Sequence, residues 1–359
     1  MLELTLNCNI RCLHCYNMDR DQPRTASTRA TACGSGGGHA EAKPELSLPE
    51  IQRLLGELRE AGCLTLGLTG GEVLTHPHLF AVLDRARELN LAVQLLTNGT
   101  MLQPGIAGRL AGYRNLLGVS ISIYGATADV HDGVTQIQGS WRRTWEGIRR
   151  MRGAGVAVRL KLILMRQNAH EVAGMRAQAA ENGFPYLIDV TITPRHDGTR
   201  GSLATRLSDE QLGDLYRGPL RDMLPERPER PRPVTDENFA CNCARGNCAI
   251  SVTGDVFPCI SVPWSGGNVR ERPFLDIWKY SPVFQRIRGL RVADYASCAP
   301  CPDKPYCSRN RGAAFNHSGS YTGVDPFVCR SAAITREVVT STPAAPAPQA
   351  PGGALVSHE

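Results

Sequence analysis

The sequence predicts an α/β protein, a partial (β/α)6 barrel of parallel strands followed by a small cysteine-rich C-terminal domain. Between residue 2 and about residue 194, short apolar segments alternate with amphipathic ones, which is typical of parallel strands joined by crossover helices. The strand candidates are almost continuously apolar, as strands buried on both faces are. Beyond residue 240 the sequence becomes rich in Cys, Gly and Pro, which favours a small domain stapled by metal.

Six strands and the helices between them follow in order from these patterns. The strand candidates are residues 2–6, 64–68, 91–96, 117–123, 156–164 and 186–193. Two of the intervening helices carry apolar residues at i, i+3, i+4 and i+7, namely Ile51, Leu54, Leu55 and Leu58, and then Leu79, Val82, Leu83 and Ala86. Ser47 with Glu50, and later Ser208 with Gln211, have the spacing of a capping box, which marks the start of a helix.

These elements divide the chain into a barrel domain (1–200), a linker (201–240), a cysteine-rich domain (241–335) and a disordered tail (336–359). Within the barrel, residues 20–45 are rich in Gly, Ser, Thr and Ala without periodicity, so a long mobile loop is expected there. Cys33 in this loop is expected to be a free thiol, and Cys63 a small buried hydrophobe.

Composition and charge exclude several classes of protein. The net charge of +6 is spread along the chain without a dense Lys/Arg block, so no nucleic-acid partner is expected. No apolar run approaches the ~18 residues of a membrane span, and the N-terminus lacks the pattern of a signal peptide. We therefore expect a cytoplasmic protein without a membrane partner. In a reducing cytosol, clustered cysteines indicate metal or iron–sulfur ligands rather than disulfides.

The first cysteine cluster directly follows the first strand. Cys8, Cys12 and Cys15 are separated by three and then two residues, so their thiolates can hold one side of a four-iron cluster from a single loop. Three thiolates leave the fourth iron open. The alternative is a tetrahedral zinc site in which His14 supplies the fourth ligand. The position favours the cluster, since ligand sites on parallel barrels lie at the carboxyl ends of strands.

At this motif the sequence resembles the radical S-adenosylmethionine (SAM) superfamily, whose barrel is TIM-like and whose signature is this cysteine spacing. His14 occupies the family's aromatic-type position before the last cysteine. After the second strand, Gly70, Gly71 and Glu72 are similar to the family's GGE motif, whose backbone and Glu hold the SAM amino group. The family usually continues with Pro, where this chain has Val73.

The resemblance continues along the next three strands. Thr97 and Asn98 follow the third strand, where the family approaches the cluster and SAM. On the fourth strand Ser120 and Ser122 are similar to the polar positions beside the ribose, and on the fifth Arg159 is the candidate for the SAM carboxylate. Lys161 shares the face of Arg159, with a solvated strand end as its alternative reading.

The resemblance implies the cofactors and the chemistry. A [4Fe-4S] cluster binds SAM at its open iron, and reductive cleavage of SAM yields methionine and a 5′-deoxyadenosyl radical that abstracts hydrogen from an unactivated C–H bond. The cofactor supplies this step, and the protein supplies position and exclusion of water. An external electron donor is implied as well.

The second cysteine field resembles the SPASM domain, the auxiliary-cluster module of radical SAM peptide-modifying enzymes. The resemblance is carried by a Cys-x10-Gly-x4-Cys hairpin motif followed by a Cys-x2-Cys-x5-Cys run. It implies two auxiliary iron–sulfur clusters, of which [4Fe-4S] is the expected type, with ligands among Cys241, Cys243, Cys248, Cys259, Cys298, Cys301, Cys307 and Cys329.

One position departs from the SPASM pattern. The family places a further cysteine where this chain has Arg311. The distal cluster keeps its four expected ligands, Cys298, Cys301, Cys307 and Cys329, and the proximal cluster loses one. Either Cys241 or Cys243 replaces the missing ligand, or the proximal cluster has an open iron.

The combination of modules implies post-translational modification, such as cross-linking, of a ribosomally made peptide. The chain begins one strand before the cluster, so we expect either a misassigned start or a missing leader-recognition domain, with a separate leader-recognition protein as partner. The alternatives are sulfatase-maturase-like formylglycine formation, an enzyme of cofactor or haem biosynthesis, and a non-enzymatic zinc-binding interaction protein. Ile260 after Cys259 counts against the sulfatase-maturing alternative, which has an acidic residue there.

Overall fold

The computed structural model describes residues 1–17, 43–224 and 241–341. Most of the loop predicted over residues 20–45, including Cys33, lies outside the described residues. Its last described part is anchored, because the Glu45 side chain accepts hydrogen bonds from the Thr5 hydroxyl and the Leu6 amide at 3.1 and 2.9 Å.

The predicted barrel of six parallel strands is confirmed. Hydrogen bonding runs from β6 through β5, β4, β3 and β2 to β1, and every neighbouring pair is parallel. The strands are β1 (Leu2–Glu3), β2 (Thr65–Thr69), β3 (Ala92–Thr97), β4 (Leu116–Ile123), β5 (Val158–Ile163) and β6 (Tyr186–Asp189). The sheet places the carboxyl ends of all six strands at one edge, which is where barrel enzymes bind their substrates.

Helices cover the outside of this sheet and follow the sequence patterns closely. In α1 and α2 the buried residues include the predicted apolar sets, and the capping box of Ser47 and Glu50 is present. The helices of the barrel are α1 (Leu48–Glu60), α2 (Leu79–Glu88), α3 (Pro104–Ala111), α4 (Ala128–Thr135), α5 (Ser140–Gly153) and α6 (Val172–Glu181). Among the described helices, none has the length and apolar character needed to cross a membrane.

The C-terminal region continues the barrel sheet, which the sequence did not predict. Strand β7 (Ala249–Ile250) pairs parallel to β1 through Leu2 and Ile250, and β8 (Val256–Phe257) returns antiparallel to it. The N-terminal amine also donates to the Cys248 carbonyl at 2.9 Å. This edge pairing fixes the cysteine-rich domain against the first strand of the barrel. Its helices are α8 (Phe274–Tyr280), α9 (Pro282–Gly289), α10 (Arg311–Ser318) and α11 (Pro326–Ser341).

Two predicted boundaries need correction. The described part of the linker 201–240 is folded, since α7 (Asp209–Arg217) begins at the capping box of Ser208 and Gln211 and buries an apolar face. Helix α11 passes through the boundary predicted at residue 335 and continues to Ser341. The two helices pack together, and Arg206, just before α7, forms an ion pair of 2.6 Å with the buried Asp325 before α11. This packing keeps both segments helical where composition suggested linker and tail.

Candidate active site

A cavity of about 640 Å³ opens at the carboxyl ends of the barrel strands. Cys8, Cys12 and Cys15 line it together with the ends of β2, β3, β4, β5 and β6. Ile260, Ser261 and Asn310 of the cysteine-rich domain line it as well. The site is therefore built jointly by the barrel and the C-terminal domain.

The cysteine loop is held in place by backbone hydrogen bonds. The amides of Arg11 and Leu13 donate to the carbonyls at the end of α4 at 2.9 and 3.0 Å, and the Cys15 amide donates to the Cys12 carbonyl at 3.2 Å. From the other side, the Asn98 amide group donates to the Asn9 side chain at 2.9 Å. These bonds hold the loop that carries the three cysteines, all of which line the cavity.

The glycine pair at the end of β2 passes directly under this loop. A Cβ atom at Gly70, whose φ is +144°, would collide with the Thr5 carbonyl oxygen, and one at Gly71 with the Asn7 carbonyl oxygen. The close approach lets the Gly71 amide donate a hydrogen bond to the Thr5 carbonyl oxygen at 2.7 Å. Both glycines line the cavity, so the backbone itself forms part of the wall.

Glu72 has a different position from the one that the resemblance implies. Its carboxylate is fully buried and does not line the cavity. It accepts hydrogen bonds from the Thr97 hydroxyl at 2.6 Å, the Asn98 amide at 2.7 Å and the Leu74 amide at 3.1 Å. Burial raises the pKa of Glu72, and the three donors oppose that shift. Glu72 thus ties the glycine turn to Thr97 and Asn98, which do line the cavity.

The polar residues of β4 and β5 lie in two layers. Ser122 and Lys161 pair in register and line the cavity. Ser120 and Arg159 pair one layer deeper and do not line it. Ser120 instead accepts a hydrogen bond from Gln94 at 3.2 Å, and Arg159 is exposed. Arg159, predicted as the carboxylate ligand, thus does not line the cavity, whereas Lys161 brings an ammonium group into it.

An aromatic group covers the cysteine loop. The His14 ring lies 5.0 Å from that of Tyr124, between ring centroids, and Tyr124 lies 5.4 Å from His131. Burial and the nearby Lys161 ammonium lower the pKa of His14 to about 4, so the ring is neutral at physiological pH. The Nδ1 atom of His14 is buried and has no hydrogen-bond partner among the described residues, and His14 lines the cavity.

Sequence reasoning missed a buried carboxylate under the same loop. Glu3 lies on β1, is 4% exposed, and accepts hydrogen bonds from Tyr16 at 3.4 Å and Asn17 at 3.2 Å. Burial raises its pKa to about 7, against the lowering effect of both donors. The cysteine motif is followed directly by Tyr16 and Asn17, both of which line the cavity, but nothing in the sequence pairs them with β1.

The cysteines of the C-terminal domain form two separate groups. In the expected distal site, burial raises the pKa values of Cys307 and Cys329, and the neighbouring thiols of Cys298 and Cys301 add to that shift. In the proximal group, the Cys241 and Cys243 sulfurs are 3.2 Å apart and Cys243 contacts the Cys259 thiol.

Cys248 does not join the proximal group. Among the described residues, the groups that act on its thiol are the N-terminal amine, Cys63 and Arg288. Its predicted role as a ligand is thus not supported by its position. The reason is that β7 begins immediately after it and carries it toward the barrel edge.

The donor chemistry of these groups fits iron–sulfur clusters and SAM. Three thiols from one short loop, an unpartnered ring nitrogen and an ammonium group meet in a cavity whose wall includes exposed backbone at two glycines. Two further thiol groups lie in the C-terminal domain.

These features define a radical SAM enzyme. The chain belongs to the radical SAM superfamily, whose model matches residues 2–178. More particularly, it is a radical SAM enzyme with a SPASM module, because the model of this iron–sulfur cluster-binding domain matches residues 241–302. Its cofactors are accordingly iron–sulfur clusters and SAM.

Curated relatives of this chain have more than one function. It is 27% identical over 350 residues to the AdoMet-dependent heme synthase of Methanosarcina barkeri, covering 90% of this chain and 94% of that protein. It is 26% identical over 347 residues to the mycofactocin maturase MftC of Mycobacterium tuberculosis, covering 90% and 81%. In fold, it is similar to Streptococcus suis SuiB bound to its precursor peptide SuiA, with a TM-score of 0.65, 17% identity and coverage of 91% and 75%.

Proposed function

We propose that this enzyme modifies a side chain of a ribosomally made peptide, by hydrogen abstraction from an unactivated C–H bond. The observation that carries the proposal is the size of the shared cavity. At about 640 Å³ it is of the size that holds one drug-sized ligand, and SAM is itself such a ligand. The room left beside SAM suits a single side chain better than a second large molecule.

The walls of the cavity support the same conclusion. A peptide would approach where the barrel meets the C-terminal domain, because Ile260, Ser261 and Asn310 line the cavity there. The Ser261 carbonyl accepts a hydrogen bond of 2.6 Å from the Asn316 side chain of α10, which holds this rim in place. A fixed rim between two domains can guide an extended chain while only one of its side chains enters.

The residues of this chain have distinct roles in the proposal. Cys8, Cys12 and Cys15 would hold the barrel cluster, and Lys161 would bind the SAM carboxylate. The backbone at Gly70 and Gly71, which lines the cavity, would face the SAM amino group. When bound, the cluster and SAM together supply the hydrogen-abstracting 5′-deoxyadenosyl group.

An apolar layer below the loop keeps water from the reacting atoms. It consists of almost completely buried side chains, namely Ile10, Tyr124, Val134, Ile163, Met165 and Ile192. Excluding water in this way limits side reactions at the site.

The named relatives add support. One is a maturase, and SuiB, which has the same fold, binds a precursor peptide. The second candidate function is modification of a haem precursor, and it is favoured by the 27% identity to a heme synthase across nearly that protein's whole length.

The two candidates are separated by one anaerobic assay. Reconstituted enzyme, SAM and a reductant are incubated with a short Cys- or aromatic-rich peptide encoded beside the gene, and in parallel with a porphyrin precursor of haem. We expect a mass change in the peptide together with 5′-deoxyadenosine, and no change in the porphyrin. Conversion of the porphyrin alone would establish the second candidate. The Cys12→Ala variant is the control, since two thiolates cannot hold the barrel cluster.

A further inference from the structure

We propose that a second cavity, in the cysteine-rich domain, binds an aromatic side chain of the peptide substrate together with a neighbouring carboxylate. The inference rests on the proposed function, because it concerns the same peptide. It adds a binding site that lies a few residues along the peptide from the side chain that reacts.

The second cavity adjoins the active-site cavity. It has a volume of about 560 Å³ and is lined by Arg286 of α9 and Phe315 of α10, among others. One segment of the chain contributes to both cavities, since Ser261 lines the active-site cavity and Trp264 lines the second. Three residues separate these positions, a distance of at most about 11 Å. An extended peptide covers that distance with about three residues, so one peptide can occupy both cavities.

The segment between the cavities is fixed by backbone hydrogen bonds. The Val262 amide donates to the Cys259 carbonyl at 3.0 Å, and the Trp264 amide donates to the Val262 carbonyl at 2.7 Å. Just beyond, the Gly266 amide donates to the Val256 carbonyl of β8 at 2.8 Å. The Val262 side chain is completely buried. The spacing of the two cavities is therefore set by the fold, which favours recognition of residues at a fixed separation.

Two aromatic rings form the apolar wall of the second cavity. The rings of Trp264 and Phe315 are nearly parallel, with an interplanar angle of 12° and 5.7 Å between their centroids. Both side chains are half-buried and both line the cavity. Apolar surface that stays accessible in a concave site favours an apolar ligand, and aromatic rings pack best against another ring.

A single positive charge lies beside these rings. Among the described residues that line the second cavity, Arg286 is the only charged one. Its guanidinium carbon lies 5.6 Å from the centroid of the Trp264 ring, its side chain is exposed, and no described residue forms an ion pair with it. A guanidinium group binds a carboxylate through two parallel hydrogen bonds. The cavity is thus complementary in charge to an acidic residue next to the aromatic one.

The test measures binding in the absence of turnover. Reconstituted enzyme with SAM and without reductant is titrated with N-acetyl-Glu-Phe-amide by calorimetry. Two matched probes replace Phe by Ala or Glu by Gln. We expect the Ala probe to bind about 10- to 100-fold more weakly, because it lacks the buried ring. The Gln probe should bind about 2- to 5-fold more weakly, as for one exposed ion pair.

Variants of the cavity assign these preferences to its residues. Arg286→Gln changes an exposed side chain, and it should remove the preference for Glu over Gln while keeping the preference for Phe over Ala. Trp264→Leu should weaken binding of the Phe probe about 2- to 10-fold. The controls Arg272→Gln and Tyr280→Leu change exposed residues of the same domain that do not line the cavity, and they should bind all three probes as the parent does.

The proposal is wrong if the three probes bind equally, or if Arg286→Gln keeps the parent's preference for Glu. It is also wrong if Trp264→Leu alters the oligomeric state and leaves probe binding unchanged, since the cavity would then be a contact between two copies of this chain. Absence of probe binding overturns this inference even where the peptide is modified in the turnover assay. Conversion of the porphyrin alone in that assay overturns the proposed function, so the two failures are distinguishable.

Discussion

Replacing Glu3 by Gln should make the protein more stable at alkaline pH. The Glu3 carboxyl is almost completely buried, and its pKa is raised from 4.5 to about 7. A raised carboxyl pKa means that the folded state binds the proton more tightly than the unfolded state, so stability falls as pH rises from 4.5 to 7. At one pKa unit per 1.36 kcal/mol, ionised Glu3 opposes folding by about 3 kcal/mol above pH 7. Gln keeps the shape and still accepts from Tyr16 and Asn17 but carries no charge.

The assay is thermal unfolding of the wild type and of Glu3→Gln at pH 5 and at pH 8.5, followed by tryptophan fluorescence. Between pH 5 and pH 8.5, the free energy of unfolding of the variant should rise by about 2–3 kcal/mol relative to that of the wild type. At roughly 2 °C per kcal/mol, this is a relative rise in Tm of about 5 °C. Glu181→Gln, which changes an exposed carboxylate, should show no such difference. An equal pH dependence in Glu3→Gln and the wild type would show that Glu3 is not held as described.

Three further predictions concern the cavity and the domain contact. Lys161→Met should raise the KM for SAM about 10- to 100-fold, which corresponds to the loss of one charged hydrogen bond. The control Arg159→Met should leave this KM unchanged. Equal effects of the two substitutions would refute the proposed role of Lys161. Gly71→Ala should abolish SAM cleavage, because the new methyl group displaces the cysteine loop, and normal cleavage would contradict this geometry. Arg206→Ala should lower the free energy of unfolding in urea by about 3–5 kcal/mol, because it leaves the buried Asp325 carboxylate without its ion-pair partner. A change below about 1 kcal/mol would show that the ion pair is not formed.

Much of the barrel was predictable because its signals are local. The apolar spacing in α1 and α2 identifies their buried faces, and the cysteine spacing identifies the loop after β1. Both patterns depend only on neighbours in sequence. The strands β7 and β8 are two residues long, too short to show a periodicity, and the pairing of β7 with β1 joins residues more than 240 positions apart.

The errors at the site have the same origin. Alternation along β4 and β5 correctly places Ser120 and Ser122 on one face of β4, and Arg159 and Lys161 on one face of β5. It does not tell how deep each residue lies, which depends on how neighbouring strands are staggered around the barrel. Only the structure shows that Lys161, and not Arg159, reaches the cavity. In the same way, Cys248 is close in sequence to the proximal cysteines, but the groups that act on its thiol are the N-terminal amine, Cys63 and Arg288.

The most direct test of the proposed function is to follow hydrogen from the substrate into the cofactor product. The candidate peptide is made with deuterium on its side-chain carbons and incubated anaerobically with reconstituted enzyme, SAM and reductant. Mass spectrometry then measures deuterium in 5′-deoxyadenosine. We predict deuterium transfer that matches the amount of peptide modified and is lost in Cys12→Ala. Modified peptide with unlabelled 5′-deoxyadenosine, or deuterium transfer from a labelled porphyrin alone, would contradict it.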